Sequence, residues 1–112
     1  MKTLKFRPNL CEDILKGLKH STWRIFDDKD LQVNDELEFI NKETLKVFGI
    51  AVVTSLHTKT FGTLVDSDWE GHERFDTEEE MYETYRTYYG EKVNENTEIK
   101  ILSFNFIPKG SK

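Results

Sequence analysis

Cysteine is all but missing. Cys11 is the only one in 112 residues, which excludes an internal disulfide and a cysteine-cluster metal site and leaves it as a small apolar group on a first helix rather than a nucleophile. Long apolar runs are missing as well. Nothing approaches the ~18 to 20 apolar residues that cross a bilayer, and the opening MKTLKFRP lacks the apolar run of a signal peptide. A soluble, cytoplasmic protein with no membrane partner is the expectation. Glycine-rich phosphate loops, GxSxG, HExxH and acidic EF-hand loops are also absent. His20, His57 and His72 have no short spacing between them, so neither a metal site nor a cofactor is expected.

What the chain does carry is charge of both signs, unevenly placed. The net charge is −5, yet residues 1–24 balance to +4, with Lys2, Lys5, Arg7, Lys16, Lys19 and Arg24 against Glu12 and Asp13. Residues 66–98 balance to −9. A protein that follows a long duplex gains affinity by neutralising many phosphates, and this one would do so against its own acidic half. Extensive duplex binding is therefore not expected, whereas a local basic pocket for one nucleotide or a short single strand is compatible with salt screening.

The length fits one domain, assigned to residues 1–108, with 109–112 as a disordered tail. "LKF" (4–6) alternates and Pro8 ends it, giving a short strand. In "LCEDILKGLK" the residues Leu10, Cys11, Ile14, Leu15 and Leu18 recur at helical spacing, with Asn9 as the expected N-cap and Gly17 as the left-handed stop. The extended "STWRIF" follows, then a charged turn at "DDKD" and a further turn at Asn34 and Asp35. A strand with Leu37 and Phe39 on one face comes next, then a hairpin turn over Asn41–Thr44 and the β-rich run "LKVFGIAVVTSLHTKTF", in which Gly49 reads as a bulge or barrel corner. Thr77 with Glu80 forms a capping box before a helix that Gly90 stops. "EIKILSFNFI" is the last strand. Strand, helix, several strands, helix, strand without β–α alternation predicts an α+β chain built on a small mixed β-barrel of about 5–6 strands.

Two constellations can carry chemistry. In an extended segment Thr22 and Arg24 project from one face, and Lys19 at the helix exit can lean over it. That set suits a phosphate or carboxylate, or a hydroxyl nucleophile activated by a buried lysine; a solvated turn explains the same spacing. Trp23 should point the other way, into the core. The second set lies in "DSDWEGHERFD" (66–76), where Trp69 can stack on a base while His72 or Glu73 handles protons. A purely structural reading has Trp69 and Phe75 stapling the loop onto the barrel.

With these residues located, the chain resembles the ASCH family of the PUA-like superfamily. "ILKGLKHSTWR" matches a first-helix signature I-L-x-G-x-K-x-x-T-x-R at Ile14, Leu15, Gly17, Lys19, Thr22 and Arg24. "VNDELEFI" is similar to the family's turn before a strand, with Asn34 and Asp35 in place of Gly-Asp. "WEGHERFDTEEEMYETYRTYYG" resembles its acidic loop and the helix ending in an aromatic and a glycine.

The resemblance spans nearly the whole domain and implies a PUA-like barrel with a cleft beside the first helix that binds RNA, a nucleotide or a nucleoside. Some compact members of similar length are amidohydrolases that deacetylate N4-acetylcytidine. Carried over by motif, their lysine falls on Lys19, their threonine on Thr22 and their glutamate on Glu73, with Glu70 its near rival. In that scheme Lys19 is the base, Thr22 the nucleophile and Glu73 the acid that protonates the leaving amine. Arg24, Ser21, His20, Trp69 and His72 complete the expected ligand contacts. The readings are a binding module for RNA, a nucleotide or a nucleoside; alternatively an amidohydrolase acting on an acetylated nucleoside; and, third, a protein-interaction domain.

Overall fold

A computed structural model describes residues 1–25 and 29–110. Phe26 of the expected second strand, Asp27 and Asp28 of the charged turn, and Ser111 and Lys112 of the tail lie outside the described residues. The described chain is α+β: strands β1 (Lys2–Phe6), β2 (Ser21–Arg24), β3 (Glu36–Asn41), β4 (Val47–Thr60) and β5 (Glu98–Pro108), with helices α1 (Pro8–Leu15) and α2 (Glu78–Tyr89). The five strands form one curled, half-barrel sheet in the order β1-β3-β4-β5-β2. Only β1 and β3 run parallel, so the sheet is mixed as the sequence predicts.

The curl has local causes. β4 is 14 residues long, and its register against β5 slips between Val53 and Ser55, one extra residue that bends the strand. Against β3 it slips again opposite the Phe39/Ile40 step. Gly49 sits beside that second slip, and the reason for a glycine there is close approach: the Phe106 ring occupies the space a Cβ would need. The β3–β4 hairpin is an Asx turn, with the Asn41 side-chain oxygen accepting from the amides of Glu43 and Thr44.

Because side chains alternate along a strand, β5 serves two cores. Leu102 and Phe104 point into a cluster with Leu4, Phe6, Leu37 and Phe39 that α1 joins through Cys11 and Ile14. Ile99 and Ile101 point into a second cluster with Trp23, Ile25 and Phe61, which α2 joins through Met81 and Tyr85.

Both helix ends differ from expectation in detail. Pro8 takes the first helical position, so Arg7 rather than Asn9 stands at the N-cap, and no side chain caps it. Leu18, expected on the core stripe, is 67% exposed. α1 stops at Leu15 because Gly17 (φ +77°) reverses the chain: Gly17 N–H donates to the Ile14 carbonyl and Leu18 N–H to that of Asp13. This is the Schellman arrangement. Thr77 caps α2 by accepting from the Glu80 amide at 3.1 Å.

Candidate functional site

The Schellman turn sets the first functional side chain. Lys19 N–H also donates to the Asp13 carbonyl at 3.2 Å, which turns the residue out of the helix axis and back over β2. In the next two residues, the amides of His20 and Ser21 both donate to the carbonyl of Gly71 (2.9 and 3.1 Å), and the Ser21 hydroxyl donates to that of Glu70 at 3.0 Å. Gly71 has φ +73°, and the His20 ring lies where its Cβ would be, so this crossing needs a glycine. The clamp joins segments 50 residues apart and delivers His72 and Glu73 to Lys19.

Lys19 is 3% exposed. Its Nζ donates to the Ser21 carbonyl at 2.8 Å and to Glu73 Oε1 at 2.9 Å. The same Oε1 lies 2.7 Å from His72 Nε2, while His72 Nδ1 lies 2.7 Å from the Glu73 carbonyl oxygen. Tyr85 brings its hydroxyl to 3.3 Å from Nε2. The imidazole stacks on Trp23 with 4.1 Å between centroids and 19° between planes. Glu73 Oε2 is buried with no hydrogen-bond partner among the described residues.

Burial favours the neutral lysine and pulls Lys19 below its ordinary range, with the Glu73 carboxylate opposing. Burial likewise works against charge on the His72 imidazole, and the hydrogen bond to the Glu73 carboxylate works for it. For Glu73 itself burial works to raise the pKa, but the hydrogen bond from His72 and the charge of Lys19 outweigh it and hold the carboxyl at about 2. Tyr85 is raised well above 10 by burial and stays a neutral phenol.

These groups floor a cleft of about 550 Å³ between α1 and α2. Thr22, Arg24, Arg74, Lys5, Arg7 and Lys42 also line it. Lys42 is carried there by its backbone, whose N–H donates to the Phe6 carbonyl at 2.8 Å. The Arg7 guanidinium stacks 4.5 Å over the Tyr88 ring, bridging the two walls.

Of the residues the sequence singled out, the structure gathers Lys19, Thr22, Arg24, His72 and Glu73 in this cleft. It does not bring His20, Ser21, Trp69 or Glu70 into the lining. His20, Ser21 and Glu70 border a separate cavity of about 230 Å³ with His57 and Asp68, because residue 21 points away from the side that Thr22 faces. Trp69 packs edge-on against Trp23 at 4.5 Å and against Phe75 at 6.1 Å. Lys5, Arg7 and Lys42 also line the cleft and are not singled out by any sequence motif; the signal for the first two is the basic bias of residues 1–24, which does not reach Lys42. Among the described residues no three His, Cys, Asp or Glu side chains come together to hold a metal ion, and no helix is long and apolar enough to cross a membrane.

No family model matches the sequence and no curated protein matches it. Its three-dimensional likeness is clear nonetheless. An Enterococcus faecalis protein of the DUF984 family superposes with a TM-score of 0.74 at 13% identity, over 89% of this chain and 71% of its own. The ASCH domain of a Lactobacillus crispatus protein does so with a TM-score of 0.67 at 16% identity, covering 89% and 72%. The chain has the ASCH-domain fold. An ASCH protein of Zymomonas mobilis is similar in the same way, with a TM-score of 0.67 at 14% identity over 92% of this chain and 65% of the other. At such identities the ASCH-domain likeness carries architecture, and chemistry has to be argued from the cleft.

Proposed function

We propose that the protein binds a nucleotide or a short single-stranded RNA segment in the cleft between α1 and α2. The observation that carries this reading is the state of the cleft's cations. Lys5, Arg24, Lys42 and Arg74 all line it, and none forms an ion pair with a described residue. In a chain of net charge −5, a concave, partly aromatic lining in which Lys5, Arg7, Lys19, Arg24, Lys42 and Arg74 outnumber Asp13, Glu73 and Glu80 suits a ligand that brings its own negative charge. Tyr88 and the guanidinium on it offer a flat face for a base. Fluorescence anisotropy of a labelled single-stranded RNA hexamer tests this: binding that weakens with salt, and an Arg24→Ala variant weakened roughly tenfold for the loss of one charged hydrogen bond. No binding of mononucleotide or hexamer at low salt would sink it.

A second reading is favoured by one observation, the buried Lys19 of lowered proton affinity in the same cleft as Thr22, which is 5% exposed. It makes the protein an amidohydrolase of N4-acetylcytidine-type nucleosides. Lys19 as the free amine takes the Thr22 hydroxyl proton while Oγ1 attacks the acetyl carbonyl; the proton passes to the departing N4 amine as the C–N bond breaks, and water hydrolyses the acetyl-threonine ester to acetate. Here Lys19 delivers the proton, since a carboxyl held at about 2 keeps none at neutral pH. Incubation with N4-acetylcytidine, followed by absorbance, reads this out; unchanged turnover in Lys19→Ala and Thr22→Ala proteins would end it.

A further inference from the structure

The two ring nitrogens of His72 face two oxygens of one residue, each at 2.7 Å: Nδ1 the carbonyl of Glu73 and Nε2 its carboxylate Oε1. A carbonyl oxygen only accepts, so Nδ1 must carry a proton. Oε1 already accepts from the Lys19 ammonium at 2.9 Å, and an ionised carboxylate likewise only accepts. A ring with a single proton would set two lone pairs against each other at one of these contacts.

The geometry points to His72 as a doubly protonated positioning residue, an imidazolium that bridges the carbonyl and the carboxylate of Glu73 and leaves Lys19 as the member of the array that exchanges a proton with a ligand. Burial of the ring works against the second proton, as does the nearby Lys19 charge. Three features work for it. The carboxylate is in contact, both nitrogens have acceptors, and the ring lies flat on the Trp23 indole, whose face attracts a cation. Tyr85, the other titratable group at the ring, is a neutral phenol at 3.3 Å from Nε2. Arg24 on β2 adds positive potential at Lys19 and Tyr85.

The consequence falls on Lys19. With His72 and Glu73 forming an internal cation–anion pair, a protonated Lys19 leaves one net positive charge in a buried cluster, and deprotonation removes it. Lys19 is thereby tuned by a histidine it does not touch in any hydrogen bond given by the structure. This deepens the assignment of the cleft made above, yet its test needs no ligand, so it can fail or stand independently of the binding and turnover experiments.

The measurement is long-range 1H–15N correlation of the histidine side chains in the ¹⁵N-labelled protein at pH 7.5, with His72 assigned by the signals lost in His72→Gln. Two protonated-type nitrogens on His72, at a pH where an exposed imidazole is neutral, are the expected result. One protonated and one unprotonated nitrogen would overturn the inference. Glu73→Gln should release the second proton and convert the ring to the neutral pattern at the same pH. A ring that stays doubly protonated without the carboxylate would overturn the bridging role. In the His72→Gln protein the titration of Lys19, followed through its side-chain ¹⁵N signal, should move upward, and a midpoint that stays or falls would count against the coupling. Should either variant fail to fold, the spectrum of the unaltered protein alone decides the protonation state.

Discussion

On one face of the sheet Leu4, Leu37, Phe39, Ala51, Val53 and Leu102 are wholly sealed from solvent. On the other, Trp23, Phe61, Met81 and Tyr85 pack with the imidazole of His72 against them, and that ring is bonded to an ionised carboxylate and, through it, to a buried lysine. The first face is aliphatic side chains and phenylalanines, with the Cys11 thiol beside them, and is stabilised by close packing. The second carries Trp23 and Tyr85 as well, whose ring faces can meet a cation and whose phenol hydroxyl can meet a polar atom. The same strand, β5, feeds both. A charged array can therefore sit within one residue of a dry core, because alternate side chains of β5 and β2 look to opposite sides.

The largest test of that contrast is Phe39→Ala. Phe39 is 0% exposed and packs on Phe6, Phe104 and Phe106, so the cavity should cost about 3 to 5 kcal/mol in urea unfolding. RNA affinity of the molecules that remain folded should hardly move; a large drop would mean that the two faces are not separable.

Acid provides the next test, on the polar face. Glu73 has a folded value of about 2 against 4.5 when free. A depressed carboxyl contributes stability that is present above the unfolded value and is lost as pH falls through the window from about 4.5 towards 2, roughly 3 kcal/mol in all. Glu73→Gln should flatten that part of a plot of urea midpoint against pH, whereas Phe39→Ala should lower the whole curve without changing its shape.

Smaller is the effect expected of Gly71→Ala. A Cβ at φ +73° meets the His20 ring, and the strain should cost about 1 to 3 kcal/mol while shifting the His72 signals in the spectrum described above. Loss of stability with those signals unmoved would show that the clamp does not place the array. Smallest is Thr77→Ala, which removes the cap of α2 at a cost of about 1 kcal/mol and should leave both faces as they were. Calorimetry with and without RNA checks it.

How legible was this in the sequence? The Thr77 cap, the Gly17 stop, the hairpin turn over Asn41–Thr44 and the long β run are legible in local chemistry, and the structure has them; the expected capping box is one-sided, because Thr77 accepts from the Glu80 amide while the Glu80 side chain returns no bond to the Thr77 amide. Leu18 keeps the helical spacing and so reads as part of the α1 stripe, although Gly17 has already ended the helix and Leu18 is exposed. Lys19, Thr22 and Arg24 could be placed near one another by counting along a turn and a strand. Ser21 alternates with Thr22 along the same strand and falls on the other side by the same count, whereas His20, at the turn, has no such rule, and its place is set by the contact with Gly71.

By itself the sequence determined what local forces determine: which segments pair or coil, where they stop, that no disulfide holds the chain, and that a lysine, a hydroxyl and a guanidinium lie within six residues of each other. Tertiary structure alone decided that Glu73 meets Lys19 across 54 positions at 2.9 Å, that Lys42 and Arg7 join them in one cleft, and that a histidine lies beneath. The physical reason is range. Caps, turns and periodicity are fixed by neighbours along the chain, whereas burial and charge pairing depend on which distant segment the fold brings to within hydrogen-bond distance, and that is settled only when both faces of the sheet are filled at once.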